Sequence, residues 1–272
     1  MTPALDANRP ASEQRTLALH HVEHVMGTVV TIDIYTDPGT SAYGITERVE
    51  KARSILRHAD EAFSTWKKDS PISLLRRGEI SLAQAPPDVA EVLEYCKTAR
   101  DRSGGWFDPW AMPGGVDPTG YVKGWAAQRA LNVLVAPGIT GAIVNAAGDI
   151  ASFGGLSESS PFRFGIVDPF DRTRLACLVE LVGALATSGT YERGEHLIDP
   201  HTGEARVLVA SASVTGPDLG LADALATGVA VAGELGLPAI EALDGYEALT
   251  IAFDGTKQWT TSFPLAKLLP PQ

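Results

Sequence analysis

The chain has 272 residues, 44% of them hydrophobic, which is enough to bury one large core or two small ones. Its 33 acidic and 22 basic side chains give a net charge of −11, and no basic cluster exceeds a pair, so it lacks the basic stripe typical of a nucleic-acid-binding protein. A phosphate ester would bind such an acidic protein most readily with the help of a metal ion.

The N-terminal segment is polar and has no basic region followed by an apolar one, so it does not resemble a secretory signal. No uninterrupted apolar run reaches the roughly 18 residues typical of a membrane span. Cys96 and Cys177 form no C-x-x-C pair, so no disulfide is expected. These features predict a cytoplasmic protein, and the polar residues 1–18 predict a disordered lead-in.

Hydrophobic periodicity predicts the elements of the first half of the chain. Val30, Ile32 and Ile34 alternate with polar residues, the pattern of a half-buried strand. Ser70 followed by Pro71 is typical of a helix N-cap and first turn. The predicted elements are a strand at 29–35 and helices at 45–63, 70–75, 88–102 and 122–134.

In the second half, strands and helices intermix without a regular βαβ alternation, which favours an α+β fold. An Asp254-Gly255 turn between two alternating runs predicts a hairpin. The predicted elements are strands at 141–147, 162–168, 175–187, 206–214, 249–253 and 257–261, and helices at 218–235 and 238–243.

Asp223 and Thr227 are four residues apart on a predicted helix, so their side chains project from one face. A carboxylate and a hydroxyl placed this way could bind Mg²⁺, which keeps several waters and takes further oxygens from phosphates. The alternative is a surface aspartate beside a threonine that is bonded to its own helix backbone.

Two other segments carry groups suited to chemistry. Asp117-Pro-Thr-Gly-Tyr-Val-Lys123 places a carboxylate, a glycine and a lysine where a helix begins, and helix amides there can meet an anion. His196 precedes an Asp-Pro-x-Thr-Gly turn and could act as a general base. Read alone, the first segment also fits a plain turn with a solvated lysine, and His196 a solvent-facing side chain.

Taken in order, eight motifs resemble those of the flavin transferase family, whose members move FMN from FAD onto a Thr or Ser of a target protein. The resemblance covers about residues 20–260. The motifs are Met26-Gly-Thr28, Phe63-Ser-Thr-Trp66, Gly105-Trp-Phe-Asp-Pro109, Asp117…Lys123-Gly-Trp-Ala126, Ala147-Gly-Asp-Ile150, Ala186-Thr-Ser-Gly189, His196-Leu-Ile-Asp-Pro200 and Ala222-Asp-Ala-Leu-Ala-Thr227.

The resemblance implies a single T-fold-like α+β domain over residues 19–272 that binds FAD, with Mg²⁺ at the pyrophosphate. It implies that Asp223, Thr227 and the Gly120 carbonyl bind the metal, and that His196 is the base for the incoming hydroxyl. Residues at the family's FAD-contacting positions are Met26, Trp66, Phe107, Asp108, Asp117, Lys123 and Ile198.

The implied reaction is Mg²⁺-dependent transfer of FMN to an acceptor protein, with release of AMP. Two alternatives stay open: hydrolysis of FAD to FMN and AMP, and FAD binding without turnover. The chain departs from the family pattern between Pro109 and Asp117, where only seven residues replace a longer segment. Gly120 also replaces a threonine or alanine, and the N-terminus lacks the export signal of many bacterial members.

Overall fold

The computed structural model describes residues 15–40, 44–189 and 197–268. The strands are β1 (Thr16–Val25), β2 (Thr28–Thr36), β3 (Gly141–Ala146), β4 (Asp149–Ser157), β5 (Ser160–Val167), β6 (Leu175–Leu181), β7 (Gly183–Gly189), β8 (Ser211–Gly216), β9 (Glu247–Ile251), β10 (Lys257–Trp259) and β11 (Leu265–Leu268). The α-helices are α1 (Ile45–Phe63), α2 (Pro71–Arg76), α3 (Pro87–Arg102), α4 (Thr119–Asn132), α5 (Leu219–Ala232) and α6 (Leu237–Glu241). This mixture confirms the predicted α+β class.

Eight strands form one antiparallel sheet in the order β1-β2-β3-β4-β7-β8-β9-β10. A smaller antiparallel sheet of β5, β6 and β11 joins it through the pairing of β4 with β5. Successive strands are mostly neighbours because short turns connect them, and short turns permit only antiparallel pairing.

The central strands of the main sheet are buried on both faces. Alternate residues of β3 face opposite sides of the sheet. Ala142 and Val144 pack against the helices, whereas Ile143 packs against the smaller sheet. In β2, Ile32 and Ile34 face the helices and Tyr35 faces the other way. The main sheet therefore lies between a helical layer, which includes α1, α4 and α5, and the smaller sheet.

Helices α4 and α5 approach each other so closely that only glycine fits between them. A Cβ added to Gly124 would lie 2.3 Å from the carbonyl oxygen of Leu219, and one added to Gly220 would lie 2.9 Å from the ring of Tyr121. The small residues of α5 thus have a structural purpose: they let its backbone pack directly on α4. This contact brings the side chains of the two helices together at one end of the sheet.

Two hairpin turns lie side by side at that same end. Met26, between β1 and β2, has φ 54°, and Ala147, between β3 and β4, has φ 55°. The Ala147 amide donates to the Val29 carbonyl at 3.2 Å, so the turns are neighbours. A left-handed conformation costs an L-residue about 1–2 kcal/mol, and such strain gathers at functional sites.

Several sequence predictions need correction. The predicted lead-in over residues 1–18 is too long, because β1 begins at Thr16; residues 1–14 lie outside the described ranges. The strand predicted at 175–187 is two strands, since Gly183, with φ 126°, turns the chain from the small sheet into the main one. Strand β4 was not predicted, and the strand predicted at 206–214 begins only at Ser211.

One stretch in the described part of the chain, Leu219–Glu241, is long and apolar enough to cross a membrane by composition alone. Its most apolar window is 83% buried inside the protein. A helix that packs against α4 and the sheet on this scale is a core element, because its apolar faces are already covered by protein.

Glu23 in β1 should make the stability of the fold sensitive to acid. Burial alone would raise its pKa, but hydrogen bonds from Arg53 (2.7 Å), His21 (3.0 Å) and Arg57 (2.9 Å) lower the pKa from 4.5 to about 2. A carboxylate with a depressed folded pKa stabilises above its unfolded pKa. We therefore expect this contribution to be intact above pH 4.5 and to be lost as the pH falls towards 2.

The measurement is the denaturant midpoint against pH for the wild type and for Glu23→Gln. The variant should lose stability near neutral pH and show a flatter acid slope. Glu50→Gln is the matched control, because it removes an exposed carboxylate from the same arginine, Arg53. An unchanged slope in Glu23→Gln would contradict the assignment.

Candidate functional site

Helices α4 and α5 place four of the predicted residues together. Asp223 and Thr227 lie on α5, and Gly120 and Lys123 lie on the facing side of α4. A Cβ built on Gly120 would be 3.6 Å from Thr227 Oγ1, so this hydroxyl lies directly beside the Gly120 backbone. Thr227 Oγ1 also lies 3.3 Å from Ser188 Oγ at the end of β7.

The Asp223 carboxylate is buried, with 4% of the residue exposed, and it meets the backbone of α4. The Gly124 amide donates to Asp223 Oδ2 at 3.2 Å. In a regular helix this amide points at the carbonyl of the residue four positions earlier, which is Gly120. The Asp223 carboxylate, the Thr227 hydroxyl and the Gly120 carbonyl therefore all lie at the contact between α4 and α5.

These three oxygens could hold a hard divalent cation. Oxygen donors suit Mg²⁺, which completes its shell with water and phosphate oxygens. Among the described residues no group of three His, Cys, Asp or Glu side chains forms a denser metal cluster. A site with one carboxylate is the kind expected where the substrate itself supplies further oxygens.

Lys123 lies between two buried carboxylates. Its Nζ forms an ion pair with Asp149 Oδ2 and lies 3.4 Å from Asp223 Oδ2. Asp149, at the start of β4, is 1% exposed, and its other oxygen accepts the Thr187 amide at 3.0 Å. One ammonium facing two carboxylates leaves the cluster net negative. The surplus charge favours a second cation, because buried charges are stable only when they are paired.

The segment before α4 carries Phe107 and Asp108. The Phe107 amide donates to Ser103 Oγ at 3.0 Å, and a Cβ on Gly120 would lie 3.1 Å from the Phe107 ring. Phe107 therefore forms an apolar wall beside the oxygen cluster. Asp108 accepts the Trp110 amide at 2.9 Å and pairs with Arg100 at 3.3 Å, so its carboxylate organises the local turn.

The shortened segment after Pro109 is closed by Arg76. The Arg76 guanidinium donates to the carbonyls of Pro113 (2.9 Å) and Gly114 (3.3 Å) and to Asp117 Oδ2 (2.9 Å). Asp117 Oδ1 accepts the amide and hydroxyl of Thr119 at the start of α4. Asp117 thus already has protein partners on both oxygens, and any nucleotide would share them.

Met26 and Trp66 lie on a more open part of the surface. The turn at Met26 lines a shallow depression of about 410 Å³ together with Asp60. Trp66 is 93% exposed, which is unusual for so large an apolar side chain. A larger groove of about 690 Å³ runs between α3 and α4, lined by Tyr95, Tyr121 and Trp125.

Ile198 lies in a short hairpin, where it bridges to Ala205. The next residue, Asp199, is fully buried and accepts hydrogen bonds from Arg206 (2.7 Å) and from the His201 amide (2.9 Å). The His201 ring lies 4.5 Å from that of Trp106, in the segment next to Phe107. His196 lies outside the described residues.

The structure therefore brings Gly120, Lys123, Asp223, Thr227 and Phe107 into one cluster. Met26, Trp66 and Ile198 lie on surrounding segments. The carboxylates of Asp108 and Asp117 already have hydrogen-bond or ion-pair partners within the protein. Sequence reasoning assigned no role to Asp149 or Arg76. Asp149 was within a motif that carries the resemblance, but only the fold places its carboxylate against Lys123.

The comparisons with known proteins agree on the family. The model of the ApbE family matches residues 26–115 and 111–250. A Rhodobacter capsulatus protein named FAD:protein FMN transferase is 38% identical over 151 residues; the match covers 52% of this chain and 29% of that relative.

Two solved structures share the fold. The Vibrio cholerae flavin transferase ApbE superposes with a TM-score of 0.77 at 22% identity, covering 90% of this chain and 97% of that one. The apo form of the Pseudomonas stutzeri flavinyl transferase ApbE gives a TM-score of 0.75 at 19% identity, with coverage of 92% and 96%. With the family model matching nearly the whole span of the described domain, the chain belongs to the ApbE family.

Proposed function

We propose that the chain is a Mg²⁺-dependent FAD:protein FMN transferase that attaches FMN to a Thr or Ser of an acceptor protein and releases AMP. The observation that carries the proposal is the buried Asp223 carboxylate, grouped with the Thr227 hydroxyl and the Gly120 backbone beside the Lys123 ammonium. Family membership and the name of the Rhodobacter capsulatus relative support the same activity.

Each group at the site has a chemical task in this proposal. Asp223, Thr227 and the Gly120 carbonyl would hold Mg²⁺, which offsets charge on the pyrophosphate. Lys123 would contribute a point charge towards the same phosphates once they are bound. Phe107 and Met26 supply apolar walls, and the exposed ring of Trp66 is free to stack on a flat ring system.

The transfer itself exchanges one phosphorus–oxygen bond for another. The acceptor hydroxyl attacks the FMN phosphorus, the pyrophosphate bond breaks, and AMP leaves with the bridging oxygen. His196 would take the proton of the hydroxyl as general base. Asp108, Asp117 and Ile198 would border the nucleotide. A cytoplasmic location remains a prediction of the sequence.

The test incubates the protein with FAD and Mg²⁺, with and without a peptide that bears an acceptor threonine. We expect a fluorescent peptide band and AMP release, both abolished by EDTA. A peptide with valine at the acceptor position is the control, because it keeps the shape of threonine without the hydroxyl. AMP release without labelling would indicate a pyrophosphatase, and FAD retention without either product would indicate a binding protein.

A further inference from the structure

Asp149 is a buried carboxylate that the proposed reaction leaves without a task. It is 1% exposed, at the start of β4 beside the strained Ala147-Gly148 turn. The Thr187 amide fixes one of its oxygens at 3.0 Å, and Lys123 Nζ pairs with the other. A buried charge in so fixed a position holds its partner in place, because moving the ammonium away would leave the carboxylate uncompensated.

The partner of Asp149 is also near the proposed metal ligand. Lys123 Nζ lies 3.4 Å from Asp223 Oδ2, which is close enough for a strong attraction. A lysine that moved fully onto Asp223 would neutralise the carboxylate and occupy space that a divalent cation needs. The lysine side chain can make this move, because its four-carbon stem is flexible.

We propose that Asp149 is a positioning residue that holds the Lys123 ammonium off Asp223 and so keeps the Asp223 carboxylate available to a divalent cation. The inference rests on the metal site of the proposed function. It assigns Lys123 two opposing effects: competition with the metal for Asp223, and attraction of the anionic substrate. Asp149 limits the first without removing the second.

A thermodynamic cycle of metal binding tests this directly. Mn²⁺ is titrated into the wild type, Asp149→Asn, Lys123→Met and the double variant, and free Mn²⁺ is followed by electron paramagnetic resonance, alone and with ADP. We expect Asp149→Asn to weaken Mn²⁺ binding about tenfold, because Lys123 would then move onto Asp223. Lys123→Met should tighten Mn²⁺ binding, because it removes the competing ammonium. Asparagine keeps an oxygen for the Thr187 amide, and circular dichroism checks the fold.

The double variant separates positioning from plain electrostatics. If Asp149 acts through Lys123, then Asp149→Asn should have little effect once Lys123 is methionine. An equal loss in both backgrounds would mean that Asp149 attracts the metal by its charge alone, and the inference would be overturned. Failure of Lys123→Met to tighten binding would overturn it as well, even if Asp149→Asn proved unstable.

One further result would refute the metal site as well as this inference. If the wild type binds no Mn²⁺ under either condition, the metal site itself is wrong, and the proposed function fails together with this inference. Asp218→Asn is the remote control, because it removes a carboxylate from the N-cap of α5 and should leave Mn²⁺ binding unchanged.

Discussion

Asp223→Ala is expected to lower Mg²⁺-dependent FAD turnover about 100- to 1000-fold, the range typical for loss of one strong electrostatic group in an active site. The alanine removes the charged oxygen that meets the Gly124 amide and lies near Lys123. Neither Thr227 nor the Gly120 carbonyl carries a charge that could replace it. The measurement is AMP release at saturating FAD across a range of Mg²⁺ concentrations.

Asp218→Asn provides a matched control on the same helix. Asp218 caps α5 by accepting the Leu221 amide at 2.8 Å, and asparagine is an equally good capping residue. It should therefore keep full turnover. Undiminished activity of Asp223→Ala would remove the proposed metal site, whereas equal losses in both variants would point to damage of the helix.

Gly124→Ala is expected to destabilise the protein by about 2 kcal/mol or more, although alanine normally favours a helix over glycine. The new Cβ would lie 2.3 Å from the Leu219 carbonyl oxygen, and backbone atoms on both helices must separate to admit it. Separation also lengthens the 3.2 Å contact between the Gly124 amide and Asp223. We therefore expect weaker Mn²⁺ binding as well as a lower denaturation temperature.

Gly228→Ala in the other helix of the pair is the control. A Cβ there would meet its nearest neighbours at 3.4 Å, an ordinary contact distance. This change should be neutral or stabilise the fold by up to about 1 kcal/mol through helix propensity. A Gly124→Ala protein as stable as the wild type would show that α4 and α5 can move apart at little cost.

Local pattern was enough to predict most of the helices. Helix α1 begins and ends where its apolar spacing predicted, and Ser70 caps α2 as expected, by accepting the Ser73 amide at 3.2 Å. The Asp254-Gly255 turn also joins two strands, β9 and β10. These features depend on contacts within a few residues, and such contacts can be predicted from a short window of sequence.

The strands were harder to predict because their partners are distant in the chain. Strand β4 contains Gly154 and Gly155, which weaken its pattern, yet a Cβ at either position would lie within 2.3 Å of a neighbouring backbone carbonyl. These glycines are required by close strand packing, which no local pattern reveals. The break at Gly183 likewise depends on which of two sheets the chain joins.

The same contrast between local and distant contacts applies to the candidate site. A spacing of four residues was enough to predict that Asp223 and Thr227 share one helix face, and the ordered motifs indicated the family. The pairing of Asp149, at the start of β4, with Lys123 beside Asp223 became evident from the fold alone. Spacing along a helix determines which side chains are neighbours within that helix. Contacts between elements depend instead on how their backbones pack, here through Gly124 against Leu219.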